Sequence, residues 1–207
     1  MRPLPRLHAV TDAAVLAGDD FGVRAAAIAA AGPAVALHAR DRSAGGAALT
    51  RAAERLLALA RPPEAAVFVN GRPDIAAAVQ AHGVQLAGGD LSPGDARLVF
   101  PSGWIGRSVH AADEAARAVE EGADFLLVGN IYETASHPGR PAAGLALVRA
   151  AAALGRPVIA IGGIDADRVR EVRAAGAYGV AAISALWRAA DPAAAALALL
   201  APWTEGS

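Results

Sequence analysis

Short apolar runs recur along the chain, and between them lie Ala-rich, charge-bearing stretches with helical spacing. Strand-like and helix-like segments in alternation are the pattern of an α/β protein. The runs fall at residues 7–10, 34–39, 66–69, 84–86, 104–107, 125–128, 158–161 and 179–183, giving eight candidate strands. Candidate helices cover 23–31, 47–60, 74–81, 112–121, 145–153, 167–174 and 193–200, with a short, weak piece at 92–98. A compact strand-helix unit takes about 23 residues, from ~5 in the strand, ~11 in the helix and two short loops. Eight such units nearly exhaust a chain of 207 residues. The arithmetic favours a single small (β/α)8 TIM barrel over an open, doubly wound sheet, with one domain spanning residues 1–207. No G-x-G-x-x-G follows the first run, and Gly45-Gly46 and Gly88-Gly89 fit neither a dinucleotide fingerprint nor a P-loop.

Composition narrows the chemistry. There is no Cys, which removes disulfides, thiolate metal ligands and a Cys nucleophile and fits a reducing cytoplasm. All 19 Lys+Arg residues are Arg, so no side-chain amine exists for a Schiff base, and lysine-dependent aldolases and pyridoxal-phosphate enzymes are excluded. A net charge of -1 offers none of the clustered positive charge that nucleic acid requires. No apolar run reaches the ~18 residues of a membrane helix, and Met1-Arg2-Pro3-Leu4-Pro5 lacks a signal-peptide core, so the expectation is a cytoplasmic protein with no membrane or nucleic-acid partner.

In a barrel of this kind the active site lies where strands run into helices, which makes residues just after each strand the candidates. His38 and Arg40 share parity at the second strand end, and Arg42 follows; guanidinium groups there suit an anion, or a rim network with Asp41. Asn70 and Arg72 share parity after the third strand, with Pro73 placed for the first turn of a helix. Gln85 is a polar candidate on the fourth. After the fifth, Arg107 precedes Ser108 and His110, which share parity; His110 is an acid/base candidate or a structural histidine. The sixth strand runs into a long loop carrying Asn130, Glu133, Ser136, His137 and Arg140, a lid or a rigid turn. Gly162-Gly163 after the seventh strand and Ser184 after the eighth sit where barrels commonly bind phosphate through backbone N–H groups, or where a tight turn alone is needed.

The ordered string His8-Ala9-Val10-Thr11-Asp12, His38-Ala39-Arg40-Asp41-Arg42, Asn70-Gly71-Arg72-Pro73-Asp74, Ile105-Gly106-Arg107-Ser108-Val109-His110, Gly129-Asn130-Ile131-Tyr132-Glu133-Thr134 and Val158-Ile159-Ala160-Ile161-Gly162-Gly163-Ile164 resembles the thiamine phosphate synthase and TenI family over nearly the whole chain. The resemblance implies a (β/α)8 barrel and one of two activities. Synthases join a pyrimidine diphosphate to a thiazole phosphate with Mg²⁺ held by carboxylates; here Gly71 replaces the metal-binding Asp of Asn-Asp-Arg, His137 the loop lysine and Arg42 the strand 2 lysine. These departures look like the TenI branch, which includes thiazole tautomerases that aromatise a thiazole carboxylate phosphate by proton transfer and need no cofactor. The family's proposed catalytic histidine falls on Asn130, whose amide exchanges no proton at neutral pH.

The expectation is therefore a TenI-like tautomerase, with thiamine phosphate synthase (and its Mg²⁺) or an inactive phosphate-ligand binding protein as alternatives. Its acid/base candidates are His110, then Glu133 and His137, with Asn130 orienting substrate. Substrate would be held by His38, Arg40, Arg42, Asn70, Arg72, Arg107 and Ser108, and phosphate by Gly162, Gly163 and Ser184. The partner is a small thiazole phosphate, with a homo-oligomer left open.

Overall fold

The eight apolar runs pair side by side, all parallel, until the last meets the first. In the computed structural model, which describes residues 2–61, 64–133 and 142–204, the strands are β1 (Leu7–Val10), β2 (Val35–Ala39), β3 (Ala66–Asn70), β4 (Gly83–Leu86), β5 (Trp104–Val109), β6 (Phe125–Val128), β7 (Val158–Ile161) and β8 (Gly179–Ala182). They close in sequence order, and Leu7 stands opposite both Val35 of β2 and Val180 of β8. The TIM barrel read from the spacing is the fold.

β1, β2, β4, β6 and β8 are buried on both faces along their whole length, which is why these runs read as continuous apolar stretches and not as alternation. One parity fills the barrel: Val10, Ala36, Ala66, Phe68, Phe125, Leu127, Ile159 and Ala181 form an inner cluster. The other parity, with Leu7, Leu37, Val67 and Val84 in it, packs under the helices. The two phenylalanines are the bulkiest side chains of this inner cluster, and glycines on adjacent strands make room for them. A Cβ on Gly83 would run into the Phe68 ring, and one on Gly106 into the Phe125 ring. Phe68 and Phe125 are fully buried, so truncating either to Ala should cost about 3–5 kcal/mol. Near the other end Tyr178 donates to Leu4 O at 2.8 Å and Arg6 lies over the Tyr178 ring, which ties the N-terminal segment to the barrel.

The helices are α1 (Ala13–Ala17), α2 (Phe21–Ala29), α3 (Gly46–Leu59), α4 (Pro73–Ala78), α5 (Pro93–Val99), α6 (Ala112–Glu120), α7 (Gly144–Ala152), α8 (Val169–Ala174), α9 (Ser184–Trp187) and α10 (Pro192–Thr204). Helical spacing does not reveal α1 and α9, because five and four residues are too short to show a 3.6-residue period. The start of α1 is nevertheless written in Asp12, whose side chain accepts from Val15 N at 2.9 Å. The weak piece at 92–98 becomes α5, nucleated by Pro93 in its first turn and by Ser92, which accepts from Asp95 N. Pro73 opens α4 as expected. No helix among the described residues is long and apolar enough to cross a membrane.

Candidate active site

At the carboxyl ends of β5 to β8 the loops enclose a cavity of about 300 Å³. Its wall includes His110, Gly129, Asn130, Ile161, Gly162, Gly163, Arg168, Ile183 and Ser184. The structure thus brings together candidates from four separate strand ends: the proposed phosphate cradle, His110 and Asn130.

Asn130 is the most telling of them. Both polar atoms of its carboxamide are buried and have no hydrogen-bond partner among the described residues, although a buried amide ordinarily finds one. Its close neighbour is Gly162: a Cβ there would collide with Asn130 Oδ1 and lie 3.0 Å from Ile131 N. Gly163 has a φ of +64°, and a Cβ on it would fall 2.8 Å from Glu133 O and 2.9 Å from Tyr132 Cβ. The two glycines therefore do more than admit a ligand; they let the β7 loop pack against the β6 loop, where Ile131 N and Tyr132 N donate to Ile161 O and Gly162 O. Ser184 is exposed and opens α9, whose Leu186 N and Trp187 N close on Ile183 O. The Ser184 and Ala185 N–H groups precede the first helical bond, where N–H groups lack intrahelical acceptors.

His110 is held on both sides. Its backbone N–H donates to Glu114 Oε2 at 2.7 Å, and its Nδ1 lies in hydrogen-bond contact with Gly129 O, which leaves Nε2 as the ring nitrogen without a partner among the described residues. Glu133 is exposed, with its carbonyl against Gly163. His137 lies outside the described residues, as do Ser136 and Arg140.

The substrate-binding expectations divide. Arg40 is half-buried, and burial, followed by the repulsion of Arg42, lowers its pKa; an anion near this pair would relieve both. Arg42 itself is exposed. His38 is fully buried, so it does not reach a ligand directly; its Nδ1 lies 2.9 Å from Asn70, and Asn70 is the residue that reaches the mouth. Arg72 is exposed and forked onto Asp74, at 2.8 Å and 2.5 Å, which is helix-start chemistry and not an opening into the barrel. Arg107 lies on the opposite side of β5 from Ser108 and His110, and its guanidinium donates to Leu91 O and Gly88 O. The parity of a strand separates it from its neighbours. Ser108 accepts from Gln85 Nε2 at 3.0 Å inside the barrel.

Arg168 went unread in the sequence. It lines the cavity, donates to Gly163 O at 2.7 Å and stacks over the Tyr132 ring. Tyr132 in turn donates to Glu171, and burial together with that bond pushes its pKa up to about 12. The available signal was Asp165: it accepts from Asp167 N and Arg168 N, and so turns the chain after the glycine pair.

Magnesium, which the resemblance attaches to synthases, does not fit the residues described. Among them no group of three His, Asp or Glu side chains stands close enough to hold a metal. Gly71 supplies no carboxylate, and Asp90 beside it accepts from Ala87 N at 2.6 Å.

Comparison with known proteins gives the family. The family profile described as "Thiamine monophosphate synthase" matches residues 7–186. A thiamine-phosphate synthase of Thermus thermophilus is 51% identical over 148 residues, covering 70% of this chain and 71% of that protein. One from Salinispora arenicola is 41% identical over 211 residues, covering 97% and 98%. The solved thiamine phosphate pyrophosphorylase of Pyrococcus furiosus superposes with a TM-score of 0.83 at 33% identity, over 97% of this chain and 96% of that one.

Proposed function

The chain belongs to the thiamine monophosphate synthase family, and from that premise we propose that it is a thiamine-biosynthetic transferase that joins a pyrimidine diphosphate to a thiazole phosphate with release of diphosphate. Every relative compared above carries a synthase or pyrophosphorylase name, which favours this reading over the tautomerase expected from the motifs. The observation that carries it is the cavity at the ends of β5 to β8, with the unpartnered Asn130 amide and the Gly162-Gly163 turn in its wall. A thiazole phosphate would place its phosphate at the N–H groups of Gly163 and Ser184, with Arg168 as the nearby cation. The Asn130 amide would then meet the ring. Arg40 and Arg42 would hold the diphosphate of the second substrate, which offsets their mutual repulsion. No step is routed through a metal.

A second reading has one observation in its favour. Gly71 lacks the carboxylate of the synthase motif, and His110 stands in the cavity wall with Nε2 unpartnered among the described residues, which is what a tautomerase needs to move one proton. Incubation of the purified protein with each substrate set separates the two. Release of one diphosphate per pyrimidine–thiazole coupling is expected. Isomerisation of an ylidene thiazole carboxylate phosphate without coupling would replace the synthase reading, and phosphate-ligand binding without either turnover would leave a binding protein.

A further inference from the structure

Inside the barrel, beneath the mouth, four groups form a hydrogen-bonded row that no step above uses directly. His8 Nε2 lies 3.1 Å from Pro5 O, His8 Nδ1 lies 2.8 Å from His38 Nε2, and His38 Nδ1 lies 2.9 Å from the atom placed as Asn70 Oδ1. Neither ring has any exposure. Phe68 packs against both, Phe125 against His8, and the charge that acts on His38 is Arg40, a cation.

The direction of the row follows from its fixed end. Pro5 O can only accept, so His8 Nε2 carries a proton. A neutral His8 then accepts at Nδ1, so His38 Nε2 carries a proton. A neutral His38 accepts in turn at Nδ1, so the Asn70 atom facing it must donate. With the Asn70 carbonyl facing His38, as the carboxamide is placed, both ends of the row are acceptors. Its contacts would then need three N–H groups from two rings, which makes one ring an imidazolium. Such a cation would be buried among phenylalanines beside Arg40, with no carboxylate bonded to it, and burial holds both rings well below the ordinary histidine value. A half-turn of the Asn70 carboxamide exchanges its nitrogen and oxygen with the rest of the side chain unmoved, and this turn brings an N–H onto His38 Nδ1.

We propose that His38 is a positioning residue, locked with its proton on Nε2, that turns the Asn70 N–H inward and presents the Asn70 carbonyl oxygen to the barrel mouth. A ligand group meeting Asn70 must then be a donor, the N–H or O–H of a ring substituent, and not a carbonyl or phosphate oxygen. That consequence rests on the substrate reading above; the tautomer assignment does not.

The first test uses the protein as it is. Long-range ¹H–¹⁵N correlation on ¹⁵N-histidine-labelled protein at about pH 6 to 8 reads the tautomer of each ring, with His82, His110 and His137 assigned through their Gln variants. The expected result is Nε2–H for both His8 and His38; an Nδ1–H form or an imidazolium at either would overturn the proposal. In N70D the carboxylate cannot donate, so His38 should become an imidazolium, and unchanged His38 signals would show that Asn70 is not its donor. N70D keeps an acceptor at the mouth whereas N70L does not, so KM for the ligand meeting it should rise about tenfold more in N70L, with kcat changing less. Equal rises would show that the mouth does not require an acceptor. If neither thiazole phosphate nor pyrimidine diphosphate is turned over by the unmodified protein, the functional reading fails, while the correlation spectra still decide the row.

Discussion

Gly71 and Asp90 face each other at the ends of β3 and β4, and a Cβ built on Gly71 falls 3.3 Å from each Asp90 carboxylate oxygen. The side chain that a synthase motif places at this position would therefore stand against Asp90, as two carboxylates sharing a cation do. With glycine there, one carboxylate is left, and Mg²⁺ demands several hard oxygen ligands in near-octahedral order. We expect G71D to create a divalent-cation site with an affinity of about 0.1–1 mM, measured by Mn²⁺ titration, and the unmodified protein to show none in that range. The backbone φ of +72° is tolerable for Asp, which visits the left-handed region more readily than most residues. Equal Mn²⁺ binding by both proteins would mean that ligands other than position 71 hold the metal.

The Asn130 carboxamide is the buried group with most to gain from a ligand. Replacing it with Leu, of similar shape, removes two unpaired polar atoms, whose burial costs about 1–3 kcal/mol when unpaired. N130L should therefore unfold at the same or a higher temperature. Its affinity for a thiazole phosphate should fall about tenfold, the loss of one good hydrogen bond. A large drop in thermal midpoint with unchanged affinity would assign Asn130 to the fold and not to the ligand.

The glycine pair is a structural element as much as a cradle. G163A places a side chain at a left-handed φ and against Glu133 O, so it should lose about 1–3 kcal/mol of stability along with phosphate affinity. Valine at this position, with more bulk beyond Cβ, should lose more. S184A touches an exposed hydroxyl, so its denaturation midpoint should match the parent, with phosphate affinity falling less than about tenfold. Phosphate binding read by calorimetry alongside urea midpoints checks both; wild-type stability in G163A would remove the packing role.

The barrel was legible because its period is long and repeated. Eight apolar runs at regular spacing leave few architectures, and the strand bounds follow within one or two residues. Parity worked where a side chain stays in the strand, so His38, Asn70, Ser108 and His110 fall on one face. It could not tell which of these meet solvent, because that depends on depth: His38 lies a step below the rim and Asn70 closes over it. The same limit applies to the cations. Arg72 and Arg107 are as conspicuous in the sequence as Arg40, yet Asp74 and the carbonyls of Gly88 and Leu91 engage them. Arg168 was invisible because its place in the cavity wall comes from a turn made by Asp165 after the strand ends.

The buried histidines give the fold a pH dependence of definite sign. Burial, the largest cause, lowers His38 to about 4 from an ordinary 6.5, and His8 is lowered in the same direction. Between those values the unfolded chain binds a proton that the folded chain refuses, so stability falls as pH drops through 6.5 towards 4 and levels off above. For His38 alone the loss amounts to about 3 kcal/mol across that window. Carboxylates titrate in the lower part of the same window, so the useful readout is a difference. In H38Q the amide can still donate to His8 Nδ1, while the titrating ring is gone. Urea midpoints at about pH 4.5, 5.5, 6.5 and 7.5 should fall less steeply with acid in H38Q than in the parent. The two curves should run parallel above about pH 7, where the ring is neutral in both states. Parallel curves across the whole range would mean that His38 is not held neutral in the folded protein.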